Sequence, residues 1–249
     1  MITKNQIQLI KSLQTNKGRK LHKLFVAEGI KCISDILASD LELVYLFETE
    51  TVFERKKFKE IAHTIENITS SDLNKISSLT IPNNCLAVFG IPELKAIKDS
   101  GLVVVLDSIQ DPGNLGTIIR LCDWFGVQQV VCSMDTVDVY NPKVVQATMG
   151  ATVGVSVVYA DLEKYLSKTK LPIFGTFMKG DDVYNSTLPE NGIVLLGNEG
   201  NGISEKIEKL VTNRLTIPNF NKYLHAESLN VATAAAVVLS EFRRRNFDC

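Results

Sequence analysis

The sequence predicts an α/β protein with a mostly parallel sheet and helices on both faces, preceded by a small mixed α/β domain. Beyond residue 102, short apolar strands alternate with helical segments, which is typical of parallel strands joined by helical crossovers. The first roughly 90 residues mix helical and strand periodicity over shorter stretches. A polar segment with Pro, Gly and charges, "PELKAIKDSG", separates the two patterns. We therefore expect domains at 1–92 and 102–249, joined by a linker at 93–101.

The elements of the first domain follow from the spacing of its apolar residues. Helical spacing marks three segments, and runs of β-branched and aromatic residues mark three strands. In chain order they are a helix from Ile2 to Leu13, the strand "KLFVAEG" (23–29), the helix "GIKCISDILAS" (29–39), the strand "LVYLFET" (43–49), the helix "RKKFKEIAHTI" (55–65) and the strand "CLAVFGI" (85–91).

The second domain alternates strand and helix from its first residue. In chain order we expect the strand "LVVVL" (102–106), a helix from Asn114 to Phe125, the strand "VQQVVCS" (127–133), the helix "PKVVQATMG" (142–150), the strand "VGVSVVY" (153–159), the helix "DLEKYLSK" (161–168), the strands "PIFGTF" (172–177) and "GIVLLG" (192–197), a short helix from Ile203, the strand "RLTIP" (214–218) and a final helix. Ligands bind at the carboxyl ends of such strands, so the loops there are the candidate sites.

Composition excludes several classes of protein. With 45% hydrophobic and 22% charged residues, the chain is an ordinary globular protein rather than a disordered one. No apolar run approaches the ~20 residues of a membrane span, and the polar opening "MITKNQIQLIKSLQ" has no secretory pattern, so we expect a cytoplasmic protein. The five cysteines form no C-x-x-C pair and the three histidines are isolated, so we expect reduced thiols and no metal site.

The N-terminal residues are basic although the net charge of the chain is only −1. Residues 1–31 contain seven Lys or Arg and a single acidic residue, Glu28. Clustered cations bind a phosphate backbone by releasing its counterions, although a solvated helix face has the same composition. The candidate RNA contacts in this segment are Lys17, Arg19, Lys20 and Lys23.

Two loops at strand ends carry candidate site residues. In "DSIQDPGNLGTIIR" (107–120) a Pro-Gly turn precedes Asn114 at the start of a helix, and Arg120 follows six residues later, near the same face. This loop lacks the G-x-G-x-x-G and P-loop patterns, although a phosphate-binding turn of a doubly wound nucleotide enzyme stays open as an alternative. In "GNEGNGIS" (197–204), three glycines around Glu199 allow close backbone approach to a flat ligand, or simply form a turn.

A third loop ends in Ser228-Leu229-Asn230, directly before the apolar C-terminal helix. Ser and Asn at this point cap a helix whether or not a ligand is bound, so capping and ligand contact both stay open. The apolar residues of the helix, among them Val231, Val238, Leu239 and Phe242, either pack on the sheet of their own chain or contribute to an interface with a second copy.

In this order and spacing, "PGNLGTIIR", "LLGNEGNGIS" and "IPN…AESLNVATAAAVVL" resemble the three motifs of the SpoU (TrmH) branch of the SPOUT RNA methyltransferases. The first roughly 90 residues resemble the substrate-binding extension of this family. The resemblance implies methyl transfer from S-adenosyl-L-methionine to a ribose 2′-hydroxyl of ribosomal or transfer RNA, with ribosomal RNA favoured. It also implies a homodimer, no metal, and a C-terminal trefoil knot whose loops hold the cofactor.

Carried onto this sequence, the motifs imply catalytic roles for Asn114, Arg120, Glu199, Ser228 and Asn230. They imply cofactor contacts from Thr176, Gly197, Asn198, Glu199, Gly202, Ile217, Pro218, Ser228, Leu229 and Asn230, with Ile217 and Leu229 enclosing the adenine. Arg120 has the central role in the family, sometimes as a base. A phosphate clamp suits it better, because guanidinium deprotonates only above about pH 12. Glu199 or a phosphate oxygen would then accept the proton.

The chain departs from the family in its third motif, and one alternative function stays open. The segment "NFNKYLHAE" (219–227) makes the third motif longer than in many relatives, which leaves the shape of the cofactor loop open. An RNA-binding assembly factor with a degenerate methyltransferase domain is the alternative function, although the five catalytic candidates are all present.

Overall fold

The computed structural model describes residues 2–53, 64–93, 95–221 and 228–245. Contacts divide the chain into two compact units, Met1–Glu93 with Asp138–Val153, and Leu94–Val137 with Gly154–Cys249. The predicted helix over 55–65 lies almost wholly outside the described residues, and its last residue, Ile65, begins a strand instead.

The first unit contains a four-stranded mixed sheet, which confirms the small mixed α/β fold. The strand order is β1-β4-β2-β3, with β4 antiparallel to both neighbours and β2 parallel to β3. On β1, Phe25 and Ala27 face one apolar core while Val26 faces the other, as the alternation of a strand requires. The elements are α1 (Lys4–Ser12), α2 (Asn16–His22), β1 (Leu24–Glu28), α3 (Ile30–Leu37), β2 (Leu43–Glu48), β3 (Ile65–Asn67), α4 (Ser70–Ile76) and β4 (Cys85–Gly90).

The segment Asp138–Val153 also packs in the first unit, although the strand and helix alternation assigns it to the second domain. Its helix α6 (Pro142–Thr148) places Val145 in the core that contains Phe25. A short amphipathic helix has the same sequence pattern whichever core it covers, so the alternation alone could not reveal this packing.

The second unit is built on a six-stranded sheet in which every pair of neighbouring strands is parallel, as predicted. The strand order is β10-β8-β9-β5-β6-β7. All five residues of both β5 and β9 are buried, which explains their continuous apolar sequences. The elements are β5 (Leu102–Leu106), α5 (Pro112–Trp124), β6 (Gln129–Cys132), β7 (Ser156–Tyr159), α7 (Leu162–Leu166), β8 (Ile173–Asp182), β9 (Gly192–Leu196), α8 (Glu205–Glu208), β10 (Asn213–Thr216) and α9 (Val231–Arg244).

Helix α9 packs on its own unit. The side chains of Val231, Val238, Leu239 and Phe242 are all buried within the chain, which decides between the two interpretations of these residues in favour of the core. Helices α5 and α9 contact each other directly. In the described ranges, no helix is long and apolar enough to cross a membrane.

Candidate active site

The carboxyl ends of the central parallel strands bring the predicted loops together. Because β9 lies between β5 and β8 in a parallel sheet, the loops after these strands meet at one edge. Strand β8 changes register here, since Arg214 pairs with Gly175 but Leu215 pairs with Asp181. Residues 176–180 therefore leave the ladder at the edge where the glycine-rich loop lies.

Three of the five catalytic candidates form one hydrogen-bonded network. The Nδ2 atom of Asn230 donates to Oδ1 of Asn114 over 2.9 Å. The Nδ2 atom of Asn114 in turn donates to Oε1 of Glu199 over 2.8 Å. Each side chain comes from a different loop, so the network joins all three sequence motifs. It leaves the second carboxylate oxygen of Glu199 available, because no hydrogen bond to that oxygen forms within the described residues.

Asn230 caps α9 and also bonds to Asn114. Its Oδ1 atom accepts the backbone N–H groups of Ala232 at 2.9 Å and Thr233 at 3.2 Å, which caps α9. Its Nδ2 atom is then directed at Asn114. Capping therefore orients the amide for the network, and contact of Asn230 with a ligand stays a prediction.

Helix α5 begins at Pro112, two residues before its predicted start at Asn114. Asp111 is the N-cap, and its Oδ1 accepts the Asn114 N–H at 2.8 Å. Asn114 lies in the first turn, and Arg120 follows six residues later. Six residues correspond to about 120° around a helix, so the prediction that the two share a face is wrong.

The glycine-rich loop is closed by its own backbone and by Asn198. The Asn198 N–H and C=O both pair with Gly202 at 2.9 Å. Its Oδ1 accepts the N–H groups of Gly200 at 2.9 Å and Asn201 at 3.0 Å. A Cβ atom at Gly197 would lie only 2.2 Å from the backbone of Gly202, so this position requires glycine. Both the side chain and the backbone of Asn198 are therefore used to hold the loop itself.

Ser108 connects three loops and was not predicted from the sequence. It has φ of 60°, an uncommon value for a residue with a side chain. Its N–H donates to Oγ of Ser133 at 2.8 Å, its hydroxyl donates to Oδ2 of Asp135 at 2.5 Å, and its carbonyl accepts from Nδ2 of Asn198 at 2.7 Å. Hydrogen bonds from Ser108 and Ser133 lower the pKa of Asp135 below its usual value. Nothing in the local sequence signals this arrangement, because the partners of Ser108 lie in loops that follow other strands.

The remaining candidates are outside the network. Arg120, Ser228 and Leu229 are exposed, and Arg120 forms no hydrogen bond or ion pair with any part of the chain that the structure describes. Ile217 and Pro218 are half-buried. The hydroxyl of Thr176 donates to the carbonyl of Leu195 at 3.3 Å.

The basic N-terminal residues divide into two groups. Lys17, Lys20 and Lys23 are exposed, as RNA contacts must be. Arg19 is only 2% exposed, and its guanidinium binds the carboxylate of Asp138 at 2.7 Å and the carbonyl of Leu13 at 2.9 Å. The prediction that Arg19 contacts RNA is therefore wrong, because its charge is already paired inside the first unit.

The cysteines are packing residues. Cys32, Cys85, Cys122 and Cys132 are buried and free, while Cys249 lies outside the described residues. Burial raises the pKa of the Cys122 and Cys132 thiols far above the usual range. Among the described residues, no group of three or more His, Cys, Asp or Glu side chains could hold a metal ion.

Comparison with known proteins identifies the family. Residues 101–240 match the SpoU rRNA Methylase family, and this match spans more than half of the chain. The chain belongs to the SpoU family. Residues 4–87 match the MRM3-like substrate binding domain.

Members of the SpoU family and solved structures resemble the chain over nearly its full length. It is 29% identical to 23S rRNA (guanosine(2553)-2′-O)-methyltransferase RlmP of Bacillus subtilis, covering 94% of each chain. A TrmH-family structure from Porphyromonas gingivalis is 36% identical with a TM-score of 0.87, covering 98% of this chain and 99% of that one. The SpoU methyltransferase AviRb from Streptomyces viridochromogenes, solved in complex with AdoMet, shares the fold with a TM-score of 0.83 at 23% identity, over 98% of each chain.

Proposed function

We propose that the protein transfers a methyl group from S-adenosyl-L-methionine to a ribose 2′-hydroxyl of ribosomal RNA. The network of Asn114, Glu199 and Asn230 carries this proposal, because it joins the three loops of a SpoU-family domain at one sheet edge. The relative RlmP is named for 2′-O-methylation of 23S rRNA, and the structural relative AviRb was solved with AdoMet.

The residues at the sheet edge fit the proposed cofactor. Gly202 has no atom within 4 Å of the place a Cβ would take, so a flat adenine can lie against its backbone, while the missing side chain of Gly197 lets the loop close. Leu229 is 51% exposed beside Asn230 and offers an apolar surface. We propose that Thr176, Ile217 and the other cofactor candidates complete this pocket, and that the knotted topology of the family forms it.

The chain's own residues supply alignment and charge rather than a reactive group. When bound, S-adenosyl-L-methionine would supply the methyl group from its sulfonium, with the thioether sulfur leaving as the ribose hydroxyl oxygen attacks the methyl carbon in line. Asn114, Ser228 and Asn230 orient the ribose, and Arg120 clamps a phosphate of the RNA. The free carboxylate oxygen of Glu199, or an RNA phosphate oxygen, accepts the hydroxyl proton.

We propose that the N-terminal domain, residues 1–92, binds the RNA through Lys17, Lys20 and Lys23, with residues 93–101 as the linker to the catalytic domain, 102–249. The match of residues 4–87 to a substrate binding domain supports this division. We place the protein in the cytoplasm, where its ribosomal substrate is found.

Methyl transfer from tritiated S-adenosyl-L-methionine to an unmethylated 23S rRNA transcript tests the proposed function. Mapping of the labelled nucleotide by primer extension then identifies the ribose. A protein that binds this RNA but incorporates no methyl group would favour the alternative, an assembly factor with a degenerate methyltransferase domain.

Leu229→Ala is expected to weaken cofactor binding about tenfold while leaving the free energy of unfolding within about 0.5 kcal/mol of the wild type. Enclosing a leucine side chain against adenine contributes roughly 1.5 kcal/mol, which corresponds to about tenfold in affinity. The side chain is already half exposed in the free protein, so its loss removes little packing. Calorimetry with S-adenosyl-L-methionine and thermal unfolding measure the two effects. Equal cofactor affinities would exclude Leu229 from the pocket.

We further propose that the protein works as a homodimer with an interface close to the active site. Trp124 supports this proposal, because it is 84% exposed and lies one turn beyond Arg120 on α5. Trp124→Arg is expected to convert a dimer into a monomer in sedimentation velocity, since a buried charge opposes association. Ile81→Arg is the matched control, because Ile81 is equally exposed but lies in the first unit. A monomeric wild type, or a Trp124→Arg dimer of unchanged stability, would contradict the proposal.

A further inference from the structure

The arginines at the end of α9 have different partners. Arg243 donates from Nε to the carbonyl of Phe125 at 2.6 Å and from Nη2 to the carbonyl of Gly126 at 3.0 Å. Arg244 instead pairs with Glu241 one turn earlier on its own helix, and its side chain is 62% exposed. Only Arg243 of these two connects α9 to the end of α5.

The two carbonyls that Arg243 binds need an external donor. Phe125 is the C-cap of α5 and Gly126 follows it, so neither carbonyl lies within the intrahelical ladder. A cation is also favourable at the negative end of the helix dipole. The planar guanidinium can donate to both oxygens at once, which restricts the orientation of the last turn of α5 more than one hydrogen bond would.

Among the described residues, Arg243 makes one of two hydrogen-bonded connections between α5 and α9, counting the residues that cap them. At the start of the helices, Asn230 binds Asn114, and the two residues are 116 positions apart in the sequence. At the end, Arg243 binds Phe125, and these are 118 positions apart. The helices therefore run parallel with nearly constant register, and the two connections lie about 16 Å apart along α5.

Arg120 lies between these connections, six residues after Asn114 and five before Phe125. No bond to another described residue orients its side chain, so its position depends on the placement of α5 itself. Apolar packing already limits the movement of α5, and hydrogen bonds near both of its ends restrict its remaining rotation and translation more than a bond at one end would. We infer that Arg243 is a positioning residue for Arg120 in methyl transfer. This inference rests on the proposed function.

The size of the effect follows from helix geometry. A displacement of one residue along α5 amounts to about 1.5 Å of translation and 100° of rotation, and misplacement of about 1 Å can slow an aligned reaction 10²-fold. Apolar packing between α5 and α9 limits the displacement. We therefore expect a smaller loss, about tenfold in kcat, when Arg243 is removed.

The test compares Arg243→Ala, Arg243→Lys and Arg244→Ala in methyl transfer to an unmethylated 23S rRNA transcript. Arg243→Ala is expected to lower kcat about tenfold, with the Kd for S-adenosyl-L-methionine and the KM for RNA within twofold of the wild type. Arg243→Lys should recover about a third of the lost rate and so stay two- to threefold below the wild type, because an ammonium group can still donate to one carbonyl. Arg244→Ala removes the same charge from the neighbouring position and should match the wild type.

A wild type that transfers no methyl group overturns the proposed function and this inference with it. An active wild type with equal kcat for Arg243→Ala and Arg244→Ala overturns the inference alone, as does a loss confined to KM or to cofactor affinity. If Arg243→Ala does not fold, the kcat of Arg243→Lys tests the inference instead. A kcat reduced two- to threefold at an unchanged cofactor Kd supports the positioning role, and an unchanged kcat contradicts it.

Discussion

Arg120→Ala is expected to slow methyl transfer by about 10²–10³-fold while cofactor affinity stays within twofold of the wild type. Removing one charged donor that stabilises the reacting groups typically costs this much. Arg120 is exposed and bonds to no other described residue, so its charge is available for the RNA. Its loss should change the free energy of unfolding by less than about 0.5 kcal/mol. Single-turnover transfer of tritiated methyl groups measures the rate, and calorimetry measures the cofactor Kd.

Two further variants make this prediction specific. Arg120→Lys keeps a cation without the bidentate fork, so a phosphate clamp predicts an intermediate rate. Asp123→Ala, another exposed position on α5, should match the wild type. A loss of cofactor affinity in Arg120→Ala, with unchanged transfer at saturating cofactor, would assign Arg120 to the cofactor pocket and overturn the clamp.

The three residues of the network bond to one another, whereas Arg120 bonds to no other described residue. Asn114 and Asn230 use their amides on each other and on Glu199, so these positions are defined before any ligand binds. A preorganised set of donors avoids reorganisation during the reaction. The proposed role of Arg120 is to bind a phosphate of the RNA, and a partner within the chain would compete with that phosphate.

Much of the second unit could be predicted from the sequence because its signals are local. "LVVVL" and "GIVLL" are buried along their whole length, so apolar runs of strand length identified them. Parallel strands place the following loops at one edge, and this rule correctly brought Asn114, Glu199 and Asn230 together.

The errors and omissions concern partners that are distant in the sequence. Arg19 looks like its exposed neighbours Lys17 and Lys20, but Asp138, far along the chain, pairs with it. Ser108 and Arg243 likewise take their roles from other loops and helices. Periodicity reports which face of an element is apolar, but it does not report which polar group faces a particular side chain.

Gly197→Ala is expected to weaken cofactor binding by up to about 100-fold, and to slow methyl transfer in proportion when the cofactor is below saturation. The added Cβ atom would lie 2.2 Å from both the Gly202 carbonyl carbon and the Ile203 nitrogen. These are backbone atoms, and the pairing of Asn198 with Gly202 keeps them from moving aside. Opening the loop to relieve the clash costs roughly 1–3 kcal/mol, and the upper part of this range corresponds to a 100-fold loss.

Gly200→Ala in the same loop separates this clash from a general intolerance of side chains. A Cβ atom there would meet only Oδ1 of Asn198, at 3.6 Å, which is ordinary van der Waals contact. We therefore expect Gly200→Ala to bind S-adenosyl-L-methionine within threefold of the wild type. If both variants lose binding equally, the loop needs flexibility rather than a closed shape. If Gly197→Ala binds normally, the cofactor does not depend on the closed backbone of this loop, and the proposed pocket would have to be placed elsewhere.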